Sequence, residues 1–153
     1  MGLQNISVLG FSNTDAQFVV KSKELSLKIN NQIVGADNQE GNGPLEFLLV
    51  GIAGAINAVG KIVAQEQQFD LQSIQVEITG VIESKKADGI KTRSRAGFKS
   101  IDVVIKPSTN ASLTEIKTWM DEVKARCPIY DNLTNATPVV MTVVKDYNVP
   151  KVA

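Results

Sequence analysis

Residues 44–67, PLEFLLVGIAGAINAVGKIVAQEQ, restrict the fold more than any other stretch of the chain. Pro44 suits the first position of a helix, where its missing N–H would have had no intrahelical partner, and Glu46 lies near the positive end of the helix dipole. At about 100° per residue, Leu45, Leu48, Leu49, Ile52, Ile56, Val59 and Val63 gather on one face. Gly51, Gly54, Ala55 and Ala58 form a stripe of small side chains beside it, and Glu46, Asn57 and Lys61 share the narrow arc that is left. The pattern predicts a central helix buried on most of its circumference. A membrane span is not expected, because the uncharged run from Phe47 to Gly60 is shorter than the roughly 20 residues a bilayer requires. Each interior glycine costs a helix roughly 1 kcal/mol relative to alanine. The stripe therefore predicts a compensating close approach: either another helix packs there, or a pocket needs the floor space.

Around this helix the pattern changes to alternation. AQFVVKS (16–22) and ELSLKIN (24–30) read as a strand hairpin, followed by the polar loop GADNQEGNGP (35–44), whose spacing matches no phosphate-binding fingerprint. In LQSIQVEITGVIES (71–84), Ile74, Val76 and Ile78 alternate with Gln75, Glu77 and Thr79, as in a strand with one wet face. A basic turn holding Lys85, Lys86, Lys91, Arg93 and Arg95 leads into a partner strand, FKSIDVVIKP (98–107), and the turn is expected to be a solvated tip. Ser112 and Glu115 form a capping-box pattern ahead of a second helix, along which Leu113, Ile116, Met120, Val123 and Cys127 recur at helical spacing. Pro128 disfavours the helical conformation at Cys127, so the helix should break there, with a further short turn in IYDNL. TPVVMTVVKDY (137–147) is expected to close the sheet as a strand. The order β, β, α, β, β, α, β predicts an α+β fold with antiparallel sheets, organised as a single domain over residues 1–153.

Composition removes whole classes of chemistry. The chain contains no histidine, and Cys127 is its only cysteine, so an internal disulfide, a Ser-His-Asp triad, a Cys-His dyad and the usual zinc sites are excluded. Sixteen basic residues balance sixteen acidic ones, which argues against a nucleic-acid or anionic-membrane partner. The opening MGLQNISVLG has neither a basic n-region nor an apolar h-region, and a cytoplasmic location is expected. Two readings of Cys127 stay open. Its thiolate could be stabilised at the start of the turn with Arg126 beside it, or it could close the apolar stripe as a small buried hydrophobe. Asn57 and Lys61 are expected at a rim rather than on a ligand.

Pro44, Glu46, Leu48, Leu49, the small-residue run Gly51 to Ala55, and RCPIYDNL (126–133) resemble the OsmC/Ohr family of osmotically inducible and organic-hydroperoxide-resistance proteins. The family pattern is approximately P-x-E-x-L-L-x-A-x-x-x-C on a central helix and, much later, a helix ending in C-P-(V/I). AGFKSIDVVI and TPVVMTVV resemble the family's strand before the second helix and its last strand, so the likeness covers roughly residues 16–147. It implies antiparallel sheets wrapped around paired central helices in an intertwined homodimer, no cofactor, and a two-thiol reaction. In that reaction the first cysteine attacks an organic hydroperoxide and the second resolves the sulfenic acid as a disulfide.

Counting from Pro44, the attacking position falls on Ala55, which has no nucleophile, and the resolving position falls on Cys127. The family also uses an arginine from the N-terminal region, whereas the first arginine here is Arg93. Glu46 fits the family pattern and, among the candidate site residues, is expected to act more as a helix-start charge than as a catalytic carboxylate. The joint loss of the cysteine and the early arginine points to a branch without the peroxidase reaction rather than to one exchanged residue. The resemblance thus implies a homodimer related to hydroperoxide detoxification and the oxidative stress response, with a degenerate site and an apolar interfacial pocket for a small hydrophobic molecule. The alternatives are a thiol peroxidase using Cys127, with an organic hydroperoxide as substrate and a partner thiol, and a purely structural or regulatory interaction protein.

Overall fold

The computed structural model describes residues 2–12, 18–29 and 43–145. Strands β1 (Leu9–Ser12), β2 (Phe18–Ser22) and β3 (Leu25–Ile29) form an antiparallel sheet in that order. Helix α1 (Pro44–Glu66) follows, then strands β4 (Ser73–Val81) and β5 (Ser100–Ser108), and finally helices α2 (Leu113–Arg126) and α3 (Pro128–Thr134). The α+β architecture with antiparallel sheets is the one the sequence predicts, and β1 is a strand that its short run did not announce. The 35–44 loop lies, up to residue 42, outside the described residues.

Helix α1 starts on Pro44 and stops through the backbone rather than through a glycine. Gln68 takes a left-handed conformation (φ 53°), its N–H reaches the carbonyl of Gln65 at 3.4 Å, and the N–H of Phe69 reaches that of Ala64 at 2.8 Å. These two bonds satisfy carbonyls that the helix end would otherwise leave open. They also deliver Phe69 onto Trp119, where the two rings stack 5.2 Å apart and nearly parallel.

Strands β4 and β5 pair with Ile78 opposite Val103 and Val76 opposite Ile105, so these four share one face while Glu77, Val104 and Lys106 lie on the other. That apolar face carries α1. One cluster, around Val63, Ala64, Trp119 and Val123, holds α1 to α2; a second, around Ile52, Ile56 and Cys127, holds α1 to the hairpin and α3. Burying side chains as large as Val63, Val123 and Trp119 contributes roughly 1.5–3 kcal/mol each. Ser112 caps α2 with the reciprocal pair of bonds that the capping-box pattern predicts. Helix α2 presents Trp119 and Val123 to the core, while Leu113, expected on the apolar stripe, is exposed at the helix start.

Three expectations need correction. First, residues 137–145 form no strand, and residues 146–147 lie outside the described residues. Val139, Val140, Met141, Val143 and Val144 are each at least 76% exposed. Their strong β-propensity finds no ladder, because a strand exists only when another strand's N–H and C=O groups face it. Second, α1 is not buried around most of its circumference. Only Ile52, Ile56, Gly60, Val63 and Ala64 are buried in it, whereas Val50, Gly51, Gly54, Ala58 and Ile62 face outward. By length and composition α1 could cross a membrane, but one side of it is the core of this α+β fold. Third, the glycines of the stripe meet no other part of the described chain, since outside the helix's own backbone nothing lies within 4 Å of where a Cβ on Gly51 or Gly54 would sit, whereas Ala55 packs against the Cys127 cluster. The close approach within the chain occurs instead at Gly60, where such a Cβ would lie 3.1 Å from the Trp119 ring.

Candidate functional site

A groove of about 710 Å³ opens between α1, the β5 side of the hairpin and the α2–α3 corner. Its floor is apolar. Leu48, Ile52 and Ile56 come from α1, Ile101, Val103 and Ile105 from β5, and Met120 and Val123 from α2. The alternation of β5 and the 3.6-residue period of the helices place these residues on facing surfaces. Cys127, Tyr130 and Leu133 continue the lining along α3.

Cys127 ends α2 and begins α3 in an extended conformation (φ −77°, ψ 111°), as the following proline demands. It is a free thiol, 1% exposed, packed with Ile52 and Ile56, with Ala55 and Ile129 against the same cluster. The two positions that the family pattern gives to its thiols are thus brought together in one apolar cluster, one of them as alanine. Arg126, which one of the two readings of Cys127 would set beside a thiolate, is engaged elsewhere. Both terminal nitrogens of Arg126 bond Glu66 of α1, and Glu122 lies 3.8 Å from one of them. The bond to Arg126 holds the Glu66 carboxyl below its ordinary value and raises the guanidinium above its own. Cys127 therefore fits the second of its two readings, a small side chain buried among aliphatic ones.

Glu46 is exposed in the first turn of α1 and does not line the groove. Asn57, half-buried, and Lys61, exposed, are also outside it. The basic connector between β4 and β5 is exposed at Lys85, Lys86, Lys91, Arg93 and Arg95, as a solvated tip would be, and Arg95 and the exposed Lys99 also line the groove.

Glu83, two residues past the end of β4, organises this segment. Its carboxylate accepts from Lys99 at 2.9 Å and from the Ser94 hydroxyl at 2.5 Å, with Lys85 3.6 Å away. The Lys99 bond, followed by the Ser94 bond, holds its pKa down at about 2. Phe98 then lies over Gly80 so closely that a Cβ there would be 2.4 Å from the ring. Sequence reasoning missed Lys124, Phe98 and Lys99 as lining residues. Lys124 was legible, since it stands three residues before Cys127 and four after Met120 on a helix; Phe98 and Lys99 depend on how Glu83 folds the connector.

Among the described residues no group of acidic or cysteine side chains is arranged to hold a metal ion. What remains is a central apolar helix laid on an antiparallel hairpin, with a C-P corner closing a groove over it. This is the architecture of an α+β protein with antiparallel sheets and one apolar helix at its centre. The chain belongs to the OsmC-like protein family, whose pattern it matches over residues 35–142. It is 27% identical over 104 residues to a hydroperoxide reductase of Mycoplasma pneumoniae, a match covering 68% of this chain and 70% of that protein. Among solved structures, an OsmC-like protein of Mycoplasma pneumoniae superimposes with a TM-score of 0.74 at 22% identity, covering 87% of this chain and 89% of the other. The organic hydroperoxide resistance protein OhrB of Bacillus subtilis shares the fold with a TM-score of 0.60 at 19% identity, covering 88% of this chain and 93% of its own.

Proposed function

We propose that this protein is a homodimeric, cytoplasmic member of the OsmC-like family that has lost hydroperoxide reduction at position 55 and keeps the groove as a binding site for a small apolar molecule. The observation that carries this reading is the shared cluster of Ala55 and Cys127. A thiolate that attacks a hydroperoxide takes one oxygen, releases the alcohol and becomes a sulfenic acid; a second thiol must then condense with it and release water. This chain supplies one thiol, it is 1% exposed, and alanine stands where the family pattern puts the other.

Homodimerisation is supported by three unpartnered surfaces. The outward face of α1 is apolar or small from Val50 to Ala58, the β1–β3 sheet makes no extensive contact with the helices or with the second sheet among the described residues, and residues 137–145 hold five exposed large apolar side chains. Exposed apolar surfaces of this kind mark protein–protein contacts, and in a two-fold dimer the same surfaces of a second copy would meet them.

Peroxide consumption tests the lost reaction. With cumene hydroperoxide and a dithiol reductant, the protein is expected to add nothing to the background rate, and Ala55→Cys is expected to restore only weak turnover, because the N-terminal arginine of the family site has no counterpart before Arg93. Turnover by the unaltered chain that disappears in Cys127→Ala would favour a peroxidase working with an external thiol and overturn the reading.

A further inference from the structure

We propose that the groove takes an aliphatic carboxylate, its chain on the apolar floor and its head between Arg95 and Lys124. This deepens the preceding reading of the groove as a small-molecule site and rests on it. The chain as a whole carries as many acids as bases, yet the groove lining contains Arg95, Lys99 and Lys124 and no aspartate or glutamate. Lys99 is already held by Glu83. Arg95 and Lys124 are exposed lining residues that form no ion pair among the described residues.

The two cations come from different elements, Arg95 from the β4–β5 connector and Lys124 from α2, and they share the lining with Ile52, Ile56, Ile101 and Ile105. An anion within reach of both cations is attracted by each, more strongly where it lies beside low-dielectric walls. A neutral alcohol of equal length gains the floor but not the rim. A cationic amphiphile is repelled by it. The groove volume of about 710 Å³ lies inside the roughly 300–1,000 Å³ typical of small-molecule sites.

The experiment compares three probes of one chain length by isothermal titration calorimetry below their micelle concentrations: laurate, dodecanol and dodecylammonium. Laurate is expected to bind most tightly, by about tenfold over dodecanol, a difference of about 1.4 kcal/mol, and dodecylammonium most weakly. The exposed pair Arg95→Gln with Lys124→Gln should bring laurate to the affinity of dodecanol and leave dodecanol unchanged; circular dichroism checks that the pair is folded. Equal binding of laurate and dodecanol by the unaltered protein would overturn the anionic head while leaving a small-molecule groove. Binding of none of the three would overturn the groove reading itself. Sedimentation run alongside supplies a further test: a dimer that dissociates as laurate saturates would mean that a second copy fills the groove, which also overturns the proposal.

Discussion

The indole N–H of Trp119 donates to the backbone carbonyl of Gly60 at 2.9 Å, and the same ring lies 3.1 Å from where a Cβ on Gly60 would be. The bond ties α2 to the middle of α1, and the glycine is what lets the ring reach the carbonyl. Trp119 is fully buried and stacked on Phe69, so it has little room to retreat. Gly60→Leu is expected to overpack the contact and destabilise the fold by roughly 1–3 kcal/mol. Because Trp119 is the only tryptophan, a denaturant titration followed by its fluorescence reads the stability and the ring's surroundings together. A variant with an unchanged midpoint and unshifted native emission would mean that the helix crossing does not depend on this contact.

Acid should loosen the β4–β5 connector before the rest of the protein unfolds. The Glu83 pKa falls from an ordinary 4.5 to about 2, first through Lys99 and then Ser94. Between those values the folded state binds fewer protons than the unfolded chain, so this contribution to stability is complete above about pH 4.5 and is lost as pH falls toward about 2. Glu66 and Glu115 are lowered in the same sense, through Arg126 and the Ser112 backbone respectively. Glu83→Gln should flatten the acid limb of the stability curve in that window and leave neutral pH less affected by further acidification. An acid limb of the same slope would show that the Glu83 interactions persist in the unfolded chain.

Cys127 should behave as packing rather than as a reagent. At 1% exposure among Ile52, Ile56 and Ile129, it is expected to react with a water-soluble disulfide such as Ellman's reagent only as fast as the fold opens, and fully in denaturant. Cys127→Ser would place a hydroxyl in the same apolar cluster and should destabilise by roughly 1–3 kcal/mol through the unmet hydrogen bond. Stoichiometric labelling within the mixing time, with native circular dichroism retained, would contradict the buried position.

The sequence was legible where one segment carries its own pattern. Pro44, the Ser112–Glu115 box and Pro128 mark helix boundaries through local sterics and hydrogen bonding, and all three stand where expected. The alternation of β4 located a half-wet strand, and the paired motifs around Ala55 and Cys127 located two elements that meet in space. Legibility failed where the outcome depends on a partner element. Residues 137–145 have the composition of a strand but no ladder. Arg95 lies in a run of basic residues indistinguishable from a solvated tip until Glu83 gathers Ser94 and Lys99. Trp119 was silent as a helix-packing residue, since its role requires a glycine on another helix.

The Gly51–Gly54 stripe supplies the sharpest test of assembly, because its environment within one chain is empty. In an unpartnered, solvated helix, Gly54→Ala should stabilise by up to about 1 kcal/mol, and a leucine there would also be accommodated. Against a second copy packed on α1, Gly54→Leu would overpack the contact at a cost of roughly 1–3 kcal/mol. The two situations therefore predict opposite signs for one substitution. We expect Gly54→Leu to weaken self-association in sedimentation experiments and to lower the denaturation midpoint at concentrations where the unaltered protein is dimeric. Far below the dissociation constant its effect on stability should vanish or reverse. Light scattering that shows the unaltered protein to be a stable monomer at micromolar concentration, together with a more stable Gly54→Leu, would place the stripe in solvent and remove the case for a dimer built on α1.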